Sequence, residues 1–462
     1  MASGHAAPGL AERMAEKVVA RPRAVLLGVQ LPGVSDQDFA ASLGELARLG
    51  KTLGFEIVGR VTQRRQRLDP GAVVGAGKLR ELAGWTGGKG EPHGGSAEDA
   101  TSAGDAASAA AGAGEARASL VLVDHDLGPS QARNLERATG AEVLDRTAVI
   151  LAIFSRHARS REARLQVEIA RLSYLAPRLR EMGTGRDRQG GGIGGRGAGE
   201  SASELDRRKV RDRIAELRAE LASIERASAT RRRRRGEQPT VALVGYTNAG
   251  KSSWMRALTG SGVLVADELF ATLDTTVRAL QPETGPRILV SDTVGFIKKL
   301  PHDLVASFRS TLEEARECEL LLHIVDASDP SFPAQIEVTL AVLAEIGAAA
   351  SPRLLLLNKA DRLAAEARER LAREWPDARL VSARDSADVA AVREAIQARF
   401  ERDSVEEELF VPWGRQGVVA EAHAAGRVLA ERHDEAGTHL RVRARPEVLT
   451  RLRARAGRDT AD

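Results

Sequence analysis

Cysteine is almost absent from the 462 residues: Cys318 stands alone, so no disulfide can close within the chain, and the composition suits a reducing compartment. Aromatic residues are sparse, at 3%. No uncharged apolar run reaches the ~20 residues that a bilayer-spanning helix needs. The opening stretch, MASGHAAPGLAERMAEKVVARPR, carries charges where a signal peptide needs an apolar core. These absences exclude a disulfide scaffold and a helical membrane protein. A soluble, cytoplasmic chain is expected, and a monomer.

What is present is ordinary globular material in an uneven charge field. The apolar fraction is 43%, and the length allows two to four domains with their own cores. The net charge of +4 hides a segregation: residues 156–235 hold 22 Arg or Lys against 11 Asp or Glu, leaving the remainder at about −7. Five consecutive arginines, Arg231 to Arg235, close that region. Charge gathered in this way is the footprint of a polyanion-binding surface, and RNA is the polyanion expected.

Residues 1–22 read as a disordered tail, and 23–160 as a small α/β domain with short buried strands AVLLGV (24–29), FEIVGRV (55–61) and LVLVD (120–124). Residues 84–118 hold Ala, Gly, Ser and acids and almost no large apolar side chain, which predicts a disordered insertion. Residues 161–236 read as a basic helical hairpin. Leu165, Ile169, Leu172, Ala176 and Leu179 repeat at spacings of 4 and 3, as do Val210, Ile214, Leu217, Leu221 and Ile224. Pro177 is expected to kink or shorten the first helix. Between the stripes lies RDRQGGGIGGRGAGES (186–201), with glycine at seven of sixteen positions. It follows a helix rather than a strand and has no Lys-Ser pair, so it is not a nucleotide fingerprint. Its glycines let the backbone approach an irregular surface while Arg186, Arg188 and Arg196 meet phosphates.

From 239 to 404 strands and helices alternate: VALVG (241–245), ILVSD (288–292), LLLHIVD (320–326), LLLLN (354–358) and RLVSA (379–383). That order predicts a parallel sheet covered on both faces. Residues 405–455 read as a small α+β domain, with strands at ELFVPW and THLRVRA and a helix around 415–432. The fold class is therefore α/β: a domain with a mainly parallel sheet, a small α/β domain with a helical hairpin before it, and a small α+β domain after it.

Four motifs in order carry the chemistry. GYTNAGKS (Gly245, Tyr246, Thr247, Asn248, Ala249, Gly250, Lys251, Ser252) follows an apolar strand and opens a helix, the setting a phosphate loop requires. Lys251 would neutralise the β and γ phosphates, and the Ser252 hydroxyl would ligate Mg²⁺. DTVG (Asp292, Thr293, Val294, Gly295) ends the next strand: Asp292 can hold Mg²⁺ through water, and the Gly295 N–H can sense the γ phosphate. NKAD (Asn358, Lys359, Ala360, Asp361) lets the Asp361 carboxylate accept from the N1–H and 2-amino group of guanine, a donor pair adenine lacks. SAR (Ser382, Ala383, Arg384) closes the series beneath the base. Strand ends are where open α/β sheets bind ligands, so the nucleotide is GTP or GDP. FATLDTT (270–276) should supply a threonine to the Mg²⁺ shell, and spacing leaves Thr272, Thr275 and Thr276 open. Phe296 stands where several GTPases carry a water-orienting glutamine, which predicts a low intrinsic rate. Asn248 offers a side-chain oxygen that either holds K⁺ near the β/γ bridge or stabilises the loop turn. Lys251, Asn248 and Gly295 are the catalytic candidates.

With those residues in place the chain resembles the HflX family of ribosome-associated GTPases. The specific stretches include GRVTQRR (59–65), GAGKLREL (75–82), LGPSQARNLE (127–136), RLQVEIARLSYLAPRL (164–179), RQGGGIGGRGAGE (188–200), LFATLD (269–274) and DTVGFIKKLPHDLVASFRSTLEE (292–314). The resemblance implies binding to the large ribosomal subunit and its RNA through the glycine-tipped arm, and splitting or rescue of stalled ribosomes under stress. It makes Thr272 the Mg²⁺ residue beside Ser252, with Phe270, Ala271, Leu273 and Asp274 forming the switch around it. Some members' N-terminal domains have been linked to ATP, for which GAGK (75–78) would supply a phosphate contact. The chain departs from the family at GAGESASELD (197–206, for GPGETQLETD), at GKSS (250–253, for GKST), at Trp254 and Met255, and in lacking the proline after LD. Two other functions fit the motifs: a nucleotide-gated ribosome-binding stress factor with incidental hydrolysis, and a GTPase acting on a different RNA.

Overall fold

The computed structural model describes residues 21–91, 117–183, 202–235, 238–260, 269–270, 273, 276–282, 286–298, 309–402 and 404–457. The chain forms two compact units whose boundary falls between Ala219 and Glu220.

In the first unit, β1 (Arg23–Gln30), β2 (Glu56–Arg64), β3 (Leu120–Val123) and β4 (Glu142–Asp145) make a parallel sheet of order β2-β1-β3-β4. The apolar runs of β1 and β3 are buried throughout because these strands are central, with structure on both faces. Helices α1 (Asp36–Thr52), α2 (Ala76–Thr86) and α3 (Pro129–Thr139) link the strands, and α4 (Arg146–His157) follows β4. The Ser35 hydroxyl caps α1 by accepting from the Asp38 N–H at 3.0 Å. Val25, Leu27, Leu79, Leu82, Val121 and Leu135 form the heart of the core. The disorder expected over 84–118 does not hold at either end of that stretch. The Gly90 N–H donates to Ala138 O at 2.9 Å and the Ala118 N–H to Trp85 O at 3.0 Å, so both flanks belong to the domain. Residues 92–116 lie outside the described residues, as do residues 1–20 of the tail expected over 1–22, while Pro22 O accepts from the Glu56 N–H at 3.0 Å and so belongs to the domain.

Two long helices follow, α5 (Arg161–Gly183) and α6 (Ala202–Arg235). Pro177 sits inside α5 and does not end it, contrary to the shortening expected. The root of α5 is tied to the end of β4: Tyr174 Oη donates to Asp145 Oδ1 at 2.8 Å, and Arg178 donates to Asp145 Oδ2 at 2.7 Å and to Leu127 O at 2.8 Å. Arg213 and Glu168 bridge the helices at 3.6 Å. The expected stripe is the sheltered side: Leu165, Ile169 and Leu217 are buried, with Val210 and Ile214 half-buried. The glycine loop, 186–201 with its three arginines, lies outside the described residues apart from the helical backbone that flanks it.

In the second unit, β5 (Thr240–Val244), β6 (Thr276–Ala279), β7 (Leu289–Asp292), β8 (Leu320–Asp326), β9 (Arg353–Asn358) and β10 (Arg379–Leu380) form one sheet of order β10-β9-β8-β5-β7-β6. It is parallel except for β6, which runs antiparallel to β7. Helices α7 (Lys251–Thr259), α8 (Arg309–Glu317), α9 (Phe332–Glu345), α10 (Ala365–Glu374) and α11 (Ser386–Glu401) alternate with the strands. Trp254 and Met255, the family departures on α7, are fully buried with Val290, Leu322 and Ile396.

The last sheet is antiparallel, of order β11-β13-β12, from β11 (Val405–Pro412), β12 (Arg427–His433) and β13 (Gly437–Ala444). Helices α12 (Gln416–Ala425) and α13 (Pro446–Gly457) cover one face. The helix expected over 415–432 therefore ends at Ala425, and its second half is β12. Gly426 makes the break. Its N–H closes the helix on Ala422 O at 2.9 Å, and a Cβ there would meet Val442 and Ala444 at 2.9 Å. This sheet stays on the second unit through the Arg445–Glu319 ion pair and an Arg427–Glu401 pair at 3.2 Å.

Candidate nucleotide site

The site is built at the carboxyl ends of β5, β7, β9 and β10, where the sheet's parallel direction gathers four loops. After β5 the chain turns through three positive-φ positions, Gly245 (φ 144), Asn248 (φ 59) and Gly250 (φ 102), before α7 begins at Lys251. Two of these positions need glycine. A Cβ on Gly245 would lie 2.1 Å from Ile324 O, and one on Gly250 would lie 2.2 Å from Asn358 Nδ2. The loop is thus held open at a helix N-terminus, where backbone N–H groups and the helix dipole favour an anion.

Lys251 is buried, and its ammonium donates to the carbonyls of Gly245 at 3.1 Å and Tyr246 at 2.8 Å. Burial pushes its pKa down to about 8, against the pull of the nearby Asp292 carboxylate. Ser252 Oγ donates to Asp292 Oδ2 at 2.9 Å, so the two residues expected around Mg²⁺ meet directly. A hydroxyl and a carboxylate at one strand end form a hard oxygen donor set of the kind Mg²⁺ takes.

Thr293 anchors the DTVG segment through its hydroxyl on Leu243 O at 2.6 Å. Gly295 packs against the phosphate loop, where a Cβ would fall 2.8 Å from Lys251 Nζ and 2.9 Å from Thr247 Cγ2. Val294 is buried. Phe296 is 1% exposed, and its backbone is stitched to the loop by Thr247 N–H on Phe296 O at 2.7 Å and Phe296 N–H on Gly245 O at 3.1 Å. Its phenyl ring has no donor or acceptor with which to orient a water.

The NKAD and SAR segments are held by a second set of contacts. Asn358 Nδ2 donates to Ala249 O at 2.8 Å, and Ala383 N–H donates to Asn358 Oδ1 at 3.2 Å, so one side chain joins three motifs. Lys359 (φ 63) lays its ammonium on Asn248 O at 2.8 Å and Asp326 Oδ2 at 2.7 Å. Ala360 is buried in the turn. Asp361 remains partly open, with Ser382 Oγ donating to its Oδ1 at 2.7 Å and Arg384 Nη1 4.0 Å from its Oδ2. That hydroxyl, with the arginines nearby, holds the carboxyl below its ordinary range despite partial burial.

Of the switch residues, Phe270 and Leu273 are buried, and Ala271, Thr272, Asp274 and Thr275 lie outside the described residues. Thr276 opens β6. Sequence reasoning missed several contributors. Asp326 anchors Lys359, and Asp388 Oδ2 accepts from the Ser382 N–H at 2.7 Å. Tyr246 Oη accepts from the Lys298 N–H at 2.7 Å, tying the phosphate loop to the segment after DTVG. His323, inside β8, is buried, and burial with the Arg353 and Lys251 charges pushes its pKa down to about 4. Only the strand-end position of Asp326 was visible as a signal. In the first unit, Lys78 of GAGK is paired with Glu81 at 2.6 Å.

Comparison with known proteins gives the chain's relatives. Residues 240–359 match the family described as "50S ribosome-binding GTPase", residues 157–235 the "GTP-binding GTPase Middle Region", and residues 40–90 and 97–155 the "GTP-binding GTPase N-terminal" family. Over 446 residues the chain is 56% identical to a protein of Gluconacetobacter diazotrophicus named GTPase HflX, covering 94% of this chain and 97% of that one. A GTPase HflX of Escherichia coli is 41% identical over 352 residues, 76% of each chain. Among solved structures, a GTP-binding protein from Sulfolobus solfataricus in complex with GDP shares 23% identity, with a TM-score of 0.41, covering 82% of this chain and 98% of that one. The chain belongs to the HflX family and is a GTP-hydrolysing enzyme.

Proposed function

We propose that this HflX-family GTPase docks in its GTP form on the large ribosomal subunit through the basic arm, and that hydrolysis releases it after it has split or rescued a stalled ribosome. One observation carries the reading. Phe296 is buried and stitched to the phosphate loop, so its position supplies no side chain to orient the attacking water. The site is slow alone and needs a partner to complete it. The 22 basic residues within 156–235 give that partner its chemistry, a structured RNA.

In this reading the residues divide the work. The Gly245-to-Ser252 loop cradles the phosphates, and Lys251 leaves its carbonyl partners for the β and γ oxygens. Ser252 and Thr272 would ligate Mg²⁺ and Asp292 would hold its water; the ion would supply positive charge to the phosphates. The Gly295 N–H meets the γ phosphate, and its loss frees the DTVG segment. Asp361 reads guanine, supported by Asn358, Lys359, Ser382, Ala383 and Arg384. Asn248, with its backbone already at positive φ, presents the oxygen that would hold K⁺ beside the β/γ bridge. The domains divide as 23–160, 161–236, 239–404 and 405–455, working as a monomer in the cytoplasm.

Co-sedimentation with purified large subunits tests the docking step. With a non-hydrolysable GTP analogue the protein is expected to pellet with the subunits, and with GDP to stay behind. Substituting Arg186, Arg188 and Arg196 by alanine should abolish pelleting and leave GTP affinity intact. Equal pelleting with both nucleotides, or with the triple variant, would rule the proposal out.

A further inference from the structure

The open face of the C-terminal sheet has no role in the chemistry above. Its other face is packed by α12 and α13 over Leu409, Val411, Leu440, Val442 and Leu449. Strand alternation sends Phe410 on β11, His439 and Arg441 on β13, and Arg432 on β12 to the open side. The register makes Phe410 face His439 across one ladder and Arg432 face the same His439 across the other. Phe410 and His439 lie with ring centroids 4.9 Å apart at 46°, and Phe410 is 42% exposed. Described residues with large exposed apolar side chains number four, Val34, Val405, Phe410 and Trp413, and three of them belong to this domain.

The charges around the ring pair are unequal. Arg443 is spent on Glu406, and Arg427 on Glu401. Arg432 and Arg441 are exposed and make no hydrogen bond or ion pair among the described residues, although Glu408 stands across the ladder from Arg441 on the same face. His439 is held by Asp434 at 2.6 Å, which fixes its ring beside Phe410.

We infer that this sheet face is a binding surface for single-stranded RNA. A base stacks on Phe410 and His439, and Arg432 and Arg441 meet the flanking phosphates. Open antiparallel sheets with exposed rings bind single strands in this way, since every base has a π face and sequence matters little. One exposed ring with unpaired guanidinium groups across and beside it offers a base a stacking platform and the flanking phosphates their cations, and Phe410 is the one large apolar side chain among the described residues that alternate outward here. The surface uses none of the arm's residues, so the chain would hold RNA through two sets of side chains.

The test uses the full chain and a fluorescent, unstructured twelve-nucleotide RNA, read by anisotropy over a salt series. Phe410→Ala should weaken binding roughly 5- to 100-fold, the range for losing one stacked base, and Phe410→Trp should restore it. Arg432→Ala with Arg441→Ala should lower the log–log salt slope by about 1.4, two phosphate contacts at ~0.7 each. Thermal melting checks that each variant is folded. If these variants bind as the parent does while Arg186, Arg188 and Arg196 substitutions abolish binding, the arm alone binds RNA and the inference fails. A photo-crosslinker at position 410 that captures ribosomal protein and no RNA would overturn it too.

Discussion

Gly295 stands so close to Lys251 that a methyl group on it would lie 2.8 Å from the Lys251 ammonium nitrogen. In the proposed function the contact links the cation that would meet the phosphates to the segment that would respond to the γ phosphate. It leaves no room for a side chain, because Thr247 closes the other side at 2.9 Å. Gly295→Ala should therefore slow GTP turnover by about 10- to 100-fold, the order of loss that an ångström of misplacement brings. GDP affinity should change little, since GDP has no γ phosphate for this segment to meet. Nucleotide titrations beside a turnover assay separate the two effects.

Lys251 makes the site's affinity depend on pH. With its pKa down at about 8 and the unfolded value near 10.5, the folded protein binds fewer protons than the unfolded chain between those values, so stability contributed by this group rises with pH there. Nucleotide phosphates restore the charged form. GTP binding at pH 8 should take up about half a proton, and almost none at pH 6.5. Calorimetric titrations in two buffers of different ionisation enthalpy measure this uptake. The signal should vanish in Lys251→Met, whose nucleotide-free form is expected to melt at a higher temperature at neutral pH.

Asp361 should set the base. Asp361→Asn removes the double acceptor for guanine and leaves an amide that suits a base with a carbonyl at the same place. Guanine nucleotide affinity should fall roughly 10- to 100-fold, as expected for losing charge-assisted hydrogen bonds of about 1.5–3 kcal/mol, and xanthine nucleotides should gain. Competition binding of GDP and xanthosine diphosphate reads both at once.

The arm's root depends on a buried carboxylate. Asp145 is 1% exposed and takes bonds from Tyr174 and Arg178, while the Arg178 guanidinium stacks over the Tyr174 ring at 3.5 Å. Arg178→Met should destabilise the first unit by about 3–5 kcal/mol, the cost of stranding a buried charge. Tyr174→Phe should cost about 1–3 kcal/mol. Differential scanning calorimetry measures both, and GTP affinity should be unchanged, since neither residue touches the nucleotide site.

Much of this was legible in the residues. The order of the GTPase strands and all four nucleotide motifs follow from apolar runs ending in Gly, Asp and Asn, because strand ends and ligand loops coincide in open parallel sheets. The ties between motifs were not legible. Lys359 on Asp326, Asn358 on Ala249 and Tyr246 on Lys298 are set by tertiary approach of side chains with no local pattern. β12 was misread as helix because VLAER carries good helix formers, and the β13 strand beside Gly426 overrode that propensity. β4 (EVLD) and β6 (TVRA) lack the continuous apolar run that marked the equally short β3 and β7.

The most direct measurement is GTP turnover at low protein concentration, with and without purified large ribosomal subunits, in potassium and again in sodium. A slow basal rate is expected, with at least a tenfold rise on adding subunits, and that rise should disappear in the Arg186, Arg188 and Arg196 alanine variant. Loss of the stimulated rate in sodium would assign the cation to Asn248. A rate that stays the same with and without subunits would contradict the reading of Phe296 as leaving a site for the ribosome to complete.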